Sequence, residues 1–447
     1  MLRFYIIFLL FATTWSAYGQ VDKLFVATNG KDNNPGTFEK PFKTLKKAMS
    51  VSESFSGKQV SIQMRNGTYY LPETIIISNA DKRPEKLEIT AYGKEMVVIS
   101  AGRKIKTDWQ LFKNGIYRTA VSPEIAFDIL YVNGILQTMA RYPNADTTAG
   151  IFNGSAEDAA YYVRVLSWGN PFGGYLHALD EQKKGSLHYR ITGVDDTDNV
   201  ELDGGWQYNK PLHPDKAIRF VENIFAELDA PGEWYFDRTF HFLYFYPRKK
   251  TDLSKAVVEV SNLKNSIELQ GSAANPVRNI MLKNLHFRHN ERSFMESNET
   301  VSGSDWNVYK GGAVLFNGTE NCRIENCSFS DLGGNAMTLS GYNKNDTIKN
   351  CFVDHVGASA ISLLGNGNTK NDVSSQVSIS DNTIHHTGEI EKQGSAIHIS
   401  NAQQVLIQDN KIYHIPGKAI KFDSLSLKEI TNLKNTVYDE FRELKHQ

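Results

Sequence analysis

Over the second half of the chain, apolar and polar residues alternate with period two in short runs. Cys322 and Ile324, Val377 and Ile379, and Val405 and Ile407 each flank a single outward position. This spacing predicts short β-strands with one buried face. Turns containing Gly or Asn separate the runs. The runs also recur as a phrase. "IENCSFSDLGGNAMTLSG" (324–341) aligns without a gap on "IKNCFVDHVGASAISLLG" (348–365). "VSISDNTIHHTGEIEKQGSAIHIS" (377–400), "VLIQDNKIYHIPGKAIKFD" (405–423) and the earlier "VRNIMLKNLHFRHN" (277–290) follow the same plan.

If Asn284, Asn326, Asn350, Asn382 and Asn410 are equivalent, the last three steps are 24, 32 and 28 residues. A fixed phrase at variable spacing is one structural unit with loops of different length. Strands this short do not form a stable sheet alone. Stacked in register, each coil pairs with the one below at about 4.8 Å. The predicted fold is therefore all-β, a right-handed parallel β-helix in which asparagines form a ladder. Cys322, Cys327 and Cys351 all lie within the repeats and read as buried apolar fillers, with stacking that disfavours a disulfide torsion.

The pattern divides the chain. Residues 20–104 carry strand-turn units at coil spacing, and residues 258–423 carry the repeats. Residues 105–257 break the period and are rich in Trp, Tyr, Gly and Pro, which predicts an inserted antiparallel β-domain. After Asp423 the apolar spacing changes to three and four, at Ile430, Leu433, Val437, Phe441 and Leu444. Ser426 and Glu429 have capping-box spacing. Residues 424–447 are accordingly predicted to be an amphipathic helix that closes the last coil.

Chemistry is sought where the copies differ. Four residues past the aligned asparagines stand Asp354, His386 and His414, with Asp331 one coil from Asp354. In the strand ending each phrase, Leu315, Thr338, Ser362, His398 and Lys421 occupy an outward column between two apolar ones. The long turn 385–394 brings Glu389, Glu391 and Lys392 over the same face. Glycosidic cleavage uses two carboxyl groups, about 5 Å apart for a covalent nucleophile and about 6.5–9.5 Å for an attacking water. Adjacent coils supply the shorter separation and alternate coils about 9.6 Å. Asp331 with Asp354, or Asp354 with Glu391, meets this need. A lyase would use His398 with Lys392 or Lys421.

The predicted catalytic set is Asp354, Glu391, Asp331 and His398. The predicted substrate contacts are Trp306, Lys392, Lys421, His386 and Glu389, with Trp306 as a sugar platform. Asp331 and Asp354 also fit turn caps. His386 and His414 lack a firm third ligand, so no metal and no cofactor is assigned.

The segments "FVATNGKDNNPGTFEKPFKTLKKA" (25–48), "FVENIFAELDAPGEWYFDR" (220–238), "SDWNVYKGGAV" (304–314) and "TGEIEKQ" (387–393) resemble secreted bacterial pectin-lyase-like β-helix proteins. The group includes glycoside hydrolases, and the resemblance lies near glycoside hydrolase family 141. It covers nearly all of the chain up to about Asp423. It implies a carbohydrate-active protein that binds polysaccharide on the outer face of the strand sheet holding the mixed column.

Composition narrows the partners. The 447 residues carry a net charge of −1, which gives no electrostatic case for nucleic acid or an anionic membrane surface. Residues 1–19, with an apolar run from Phe4 to Ala12 and Ala17-Tyr18-Gly19 before Gln20, read as a Sec-type signal peptide. No cysteine near the cut marks a lipoprotein, and the run is too short to span a bilayer. The expectation is a secreted or periplasmic monomer acting on a polysaccharide or oligosaccharide. Its activity is read as a glycoside hydrolase, with a polysaccharide lyase and a non-catalytic carbohydrate-binding β-helix lacking C-terminal coils as rivals.

Overall fold

The computed structural model describes residues 21–79, 83–197, 199–210, 212–296, 299–300, 304–366, 373–423 and 428–440. The signal-peptide reading falls outside these residues. Among them, nine-, ten- and eight-stranded sheets, parallel throughout, wind into a right-handed β-helix. One wall runs from Val21–Val26 through Lys86–Ala91 and Ile280–Lys283 to Thr431–Leu433. Coil pairing thus passes directly from residue 91 to residue 280 and skips the insertion.

Inward positions stack by type: Phe287 lies on Phe329 with ring centroids 4.9 Å apart, and Ile324, Ile348, Ile379 and Ile407 form one fully buried file. The short helix Leu45–Ser52 packs Leu45 and Ala48 onto the first coil, its start capped by the Thr44 side chain accepting from the Lys47 amide.

The corners follow one backbone rule. Each needs a residue with positive φ, a conformation that Asn, Asp and His tolerate better than most. One corner uses Asn284, Asn326, Asn350, Asp381, Asp409 and Lys434. The file just behind it turns inward as Cys327, Cys351, Asn382, Asn410 and Asn435. There Asn382 Oδ1 accepts from the Cys351 amide at 2.9 Å, and Asn410 Oδ1 accepts from the Asn382 side-chain amide at 2.8 Å. The expected single asparagine ladder is therefore two adjacent files, and the alignment shifts by one residue after Asn350. A buried inward position accepts either a thiol or an amide whose polar atoms are all bonded. The shift moves Asp354 into register with His385 and Tyr413, rather than with His386 and His414.

The predicted closing helix is corrected. Thr431–Leu433 and Thr436–Glu440 are strands that pair with Leu406–Gln408 and Lys411–Ile415, and Asn435 extends the inward ladder. "TNLKNTVY" (431–438) repeats the plan of "LIQDNKIY" (406–413). The coil beneath offers partners for its backbone groups, which outweighs a modest three-and-four periodicity. Leu433 and Val437 remain exposed, and Phe441 and Leu444 fall outside the described residues.

The insertion leaves through Gly102–Ile105 and returns through Val258–Ser261, which pair antiparallel as its stem. Between them lie two five-stranded sheets with mostly antiparallel pairing, and a core around Trp234, Phe236, Leu243 and Phe245.

The three thiols are buried and unbridged, and burial pushes Cys351 up to about 12. Neither Cys327 nor Cys351 is expected to react with a thiol reagent before unfolding; fast labelling of the native protein would contradict the inward file. Asn410→Ala removes the acceptor of the Asn382 backbone and side-chain amides and the donor to Ile379 O, and is expected to destabilise the fold by about 1–3 kcal/mol, measured by chemical unfolding.

Candidate functional site

The corner between the eight- and ten-stranded walls concentrates ionisable residues. Its positive-φ file is His289, Asp331, His355, His386 and His414, with φ from 49° to 71°. A left-handed residue swings its side chain away from the coil axis, so the backbone rule that selects short polar residues also presents them outward.

Above this corner the inserted domain leans over the β-helix and encloses a cleft of 280 Å³, whose walls include Asp128, Tyr131, Arg292, Asp331, His355 and Glu389. Tyr131 donates its hydroxyl to the Asp331 carbonyl at 2.9 Å and stacks on His289 with centroids 4.0 Å apart. Arg288 holds the Asp331 carboxylate, its Nε 3.1 Å from Oδ2. Arg292 is buried between two acids: its Nε lies 3.0 Å from Asp128 Oδ2, and its Nη1 meets Glu222 Oε1. Burial alone would lower Arg292 and raise Glu222. The mutual attraction of Arg292 with Glu222 and Asp128 wins, so Arg292 stays above and Glu222 well below its ordinary value. Behind Glu222, His177 and His188 are kept neutral, first of all by burial.

The turn 388–394 closes the cleft from the β-helix side. Its backbone bonds back to the preceding corner, with the Glu389 amide on Val356 O at 3.1 Å and the Glu391 amide on Gly357 O at 2.8 Å. Ser186 of the insertion accepts from the Lys392 amide at 2.9 Å, which latches the two halves together.

The expected site residues fall into separate places. Asp331 and Glu389 share the cleft. Asp354 and His386 sit at the outer corner with His355 and His385. Glu391, His398, Lys421 and Trp306 line a second, small pocket over the ten-stranded wall. Lys392 lies on the turn between, with Nζ 3.0 Å from Glu389 O.

The outward column keeps its predicted register, Thr338 to Ser362 to His398 to Lys421. Thr338, Ser362 and His398 are nevertheless buried. The chain at 304–312 folds back over them, with Thr338 Oγ1 donating to Gly311 O at 2.8 Å. The expected single open groove holding Asp354, Glu391 and His398 does not form. Trp306 is likewise buried, edge-on to Tyr208 at 5.0 Å and pressed against Gly185, where a Cβ would come within 2.5 Å of its ring. It is a packing residue of this lid, with no open ring face.

Within the covered pocket, His398 Nε2 lies 3.0 Å and Lys421 Nζ 2.6 Å from Asp423 Oδ2. Glu391 accepts from the Ser293 hydroxyl at 2.9 Å, and burial pushes its carboxyl up to about 7. Sequence reasoning missed Asp128, Tyr131, Glu222 and Arg292. Three lie in the aperiodic insertion and Arg292 in a connecting loop, so no repeat position marked them.

Residues 313–440 match the family described as the right handed beta helix region. An uncharacterized protein, YwoF, of Bacillus subtilis (strain 168) is 39% identical over 82 residues, 18% of this chain and 16% of that protein. Among solved structures, one titled "Glycoside hydrolase" superposes with a TM-score of 0.74 at 17% identity, covering 94% of this chain and 88% of its own. Another, XylC in complex with xylose, gives 0.55 at 15% identity and covers 93% of this chain and 62% of its own. The chain is a right-handed parallel β-helix protein with the architecture of these two structures.

Glu391 supplies a test of the covered pocket. The folded state keeps the proton to about 7, whereas an unfolded carboxyl releases it near 4.5. Its stabilisation is therefore complete below pH 4.5 and lost as pH rises through 7, by on the order of 3 kcal/mol. Glu391→Gln keeps an acceptor for Ser293 without the titration. Unfolding midpoints should show the variant gaining on wild type between pH 5 and 8; a pH-independent difference would count against a buried protonated Glu391.

Proposed function

We propose that this protein is a carbohydrate-active enzyme, a glycoside hydrolase, whose substrate sits in the cleft between the inserted domain and the β-helix corner. The observation that carries the reading is the presence of two carboxylates, Asp331 and Glu389, on the β-helix side of one enclosed cleft. Hydrolysis of a glycosidic bond needs such a pair. In this proposal Asp331, held by Arg288, is the ionised carboxylate that faces the anomeric carbon or its attacking water. Glu389, on the turn across the cleft, is the second carboxyl, assigned to the leaving oxygen. The likeness to a structure titled "Glycoside hydrolase" and to one holding xylose supports the same class.

A lyase is less well supported by the same cleft. It would need an uncommitted cation to neutralise a uronate. The two arginines lining the cleft are already engaged: Arg292 with Glu222 and Asp128, Arg141 with the carbonyls of Pro143, Phe152 and Gly154. The leader at 1–19 makes the protein secreted or periplasmic in this proposal, where polymeric glycans are met.

Digestion of a panel of plant and algal polysaccharides tests it. New reducing ends without an unsaturated, ultraviolet-absorbing product are expected. Unsaturated ends would mean a lyase, and binding without product a non-catalytic protein. On the substrate found, Asp331→Asn and Glu389→Gln should each lower kcat at least about 100-fold while circular dichroism stays unchanged. Near-wild-type rates in both would place the chemistry outside this cleft.

A further inference from the structure

At the outer corner three imidazoles face one carboxylate oxygen. His355, His385 and His386 each direct Nδ1 at Asp354 Oδ1, at 2.6, 2.8 and 3.2 Å. His385 Nδ1 and His386 Nδ1 are also 2.8 Å from each other. Hydrogen bonding alone satisfies this poorly. A carboxylate oxygen offers about two lone-pair directions, and a line between two imidazole nitrogens holds one proton at most. We propose that Asp354, His385 and His386 form a binding site for a divalent transition-metal ion of the zinc class, with a water as fourth ligand and His355 bonded to Asp354 beside it.

Four ligands in a tetrahedron at the usual zinc bond lengths of 2.0–2.1 Å lie about 3.3 Å apart. The three separations among Asp354, His385 and His386, 2.8, 3.2 and 2.8 Å, are shorter by about 0.5 Å at most, so a central cation needs only a slight spreading of the cluster. The donors of Asp354, His385 and His386 all fall within 4.8 Å of one another. Imidazoles with a single carboxylate favour zinc, copper or nickel over calcium or magnesium, which prefer several oxygens. Burial lowers His385 and His386, leaving them in the neutral form that ligation requires.

The rings are also held in place before any ion arrives. His385 stacks on Tyr413 at 4.6 Å and meets the edge of Phe352 at 5.1 Å, while His386 stacks on His355 at 4.5 Å and meets His414 edge-on at 4.9 Å. Adjacent coils place these side chains one above another, so the β-helix itself sets the ligand spacing. His355, which contacts Asp354 at 2.6 Å, also lines the cleft. A bound ion would thus stiffen one wall of the proposed substrate site from behind, without being needed for Asp331 or Glu389 to act.

The test needs no substrate, so it stands or falls apart from the hydrolase reading. Full-length protein dialysed against chelator is titrated with zinc chloride in a calorimeter, with magnesium and calcium as controls. One zinc per chain is expected, with no binding of either control ion. Cobalt(II) should give the intense visible bands of a four-coordinate site, abolished by added zinc. Asp354→Asn and His385→Ala should each weaken zinc binding by more than the roughly 10- to 100-fold typical of changes outside the ligand shell. Absence of stoichiometric zinc binding, or binding unchanged in the double variant, overturns the site. If the variants fail to fold by circular dichroism, the wild-type cobalt spectrum decides: weak six-coordinate bands, or none, overturn it.

Discussion

The structure rests on one requirement, that every short strand finds its hydrogen-bond partners in the coil above and the coil below. Few of these strands could persist alone. Register between coils is therefore not one feature among others, because it fixes which side chains meet. It sets aliphatic on aliphatic inside, as in the file Ile324, Ile348, Ile379 and Ile407. It also forces each corner into positive φ, where Asn, Asp and His are the residues that pay least. The corner of Asp331, His355, His386 and His414 is polar first because the backbone bends there. Its chemistry is built upon that structural need.

The insertion turns this surface corner into an enclosed place. A β-helix flank alone offers a shallow, open face. Here the inserted domain stands over the corner, tied down by the Tyr131 hydroxyl on Asp331, by Arg292 between Asp128 and Glu222, and by Ser186 on the turn 388–394. Arg292 comes from the β-helix portion of the chain while both of its acids come from the insertion. A buried ion pair of this kind has little net stabilising effect, but leaving either partner alone would be costly. It therefore serves to fix how the two halves meet. The turn 388–394 borders both the cleft and the covered pocket over the ten-stranded wall, so one face is closed as another is shaped.

Much of this was legible from residue order. Period-two alternation, the repeated Asn-Cys phrase and the Gly-rich turns identify stacked coils, since only that arrangement uses them all. The inward cysteines, the in-register column Thr338, Ser362, His398 and Lys421, and the break of pattern across the insertion were readable in the same way. Two errors have local causes. The ladder slipped by one after Asn350 because "DN" at 381–382 and 409–410 offers two polar residues where earlier coils show Asn-Cys. The tail's three-and-four apolar spacing points to a helix, but the coil at 406–415 provides a template that makes it strand.

The sequence by itself thus determined the coil, its register and the presence of acids and histidines at one corner, because these follow from interactions between neighbouring repeats. Only the tertiary structure decided which of them share a space. Asp331 meets Glu389 and the insertion, Asp354 meets three histidines, and Glu391 and His398 are sealed beneath the 304–312 segment. Those outcomes depend on contacts between Tyr131, Asp128 and Glu222 and residues far away in the chain. Such contacts leave no period in the sequence, since a loop or inserted domain is placed by the surface it packs against rather than by the order of its own residues.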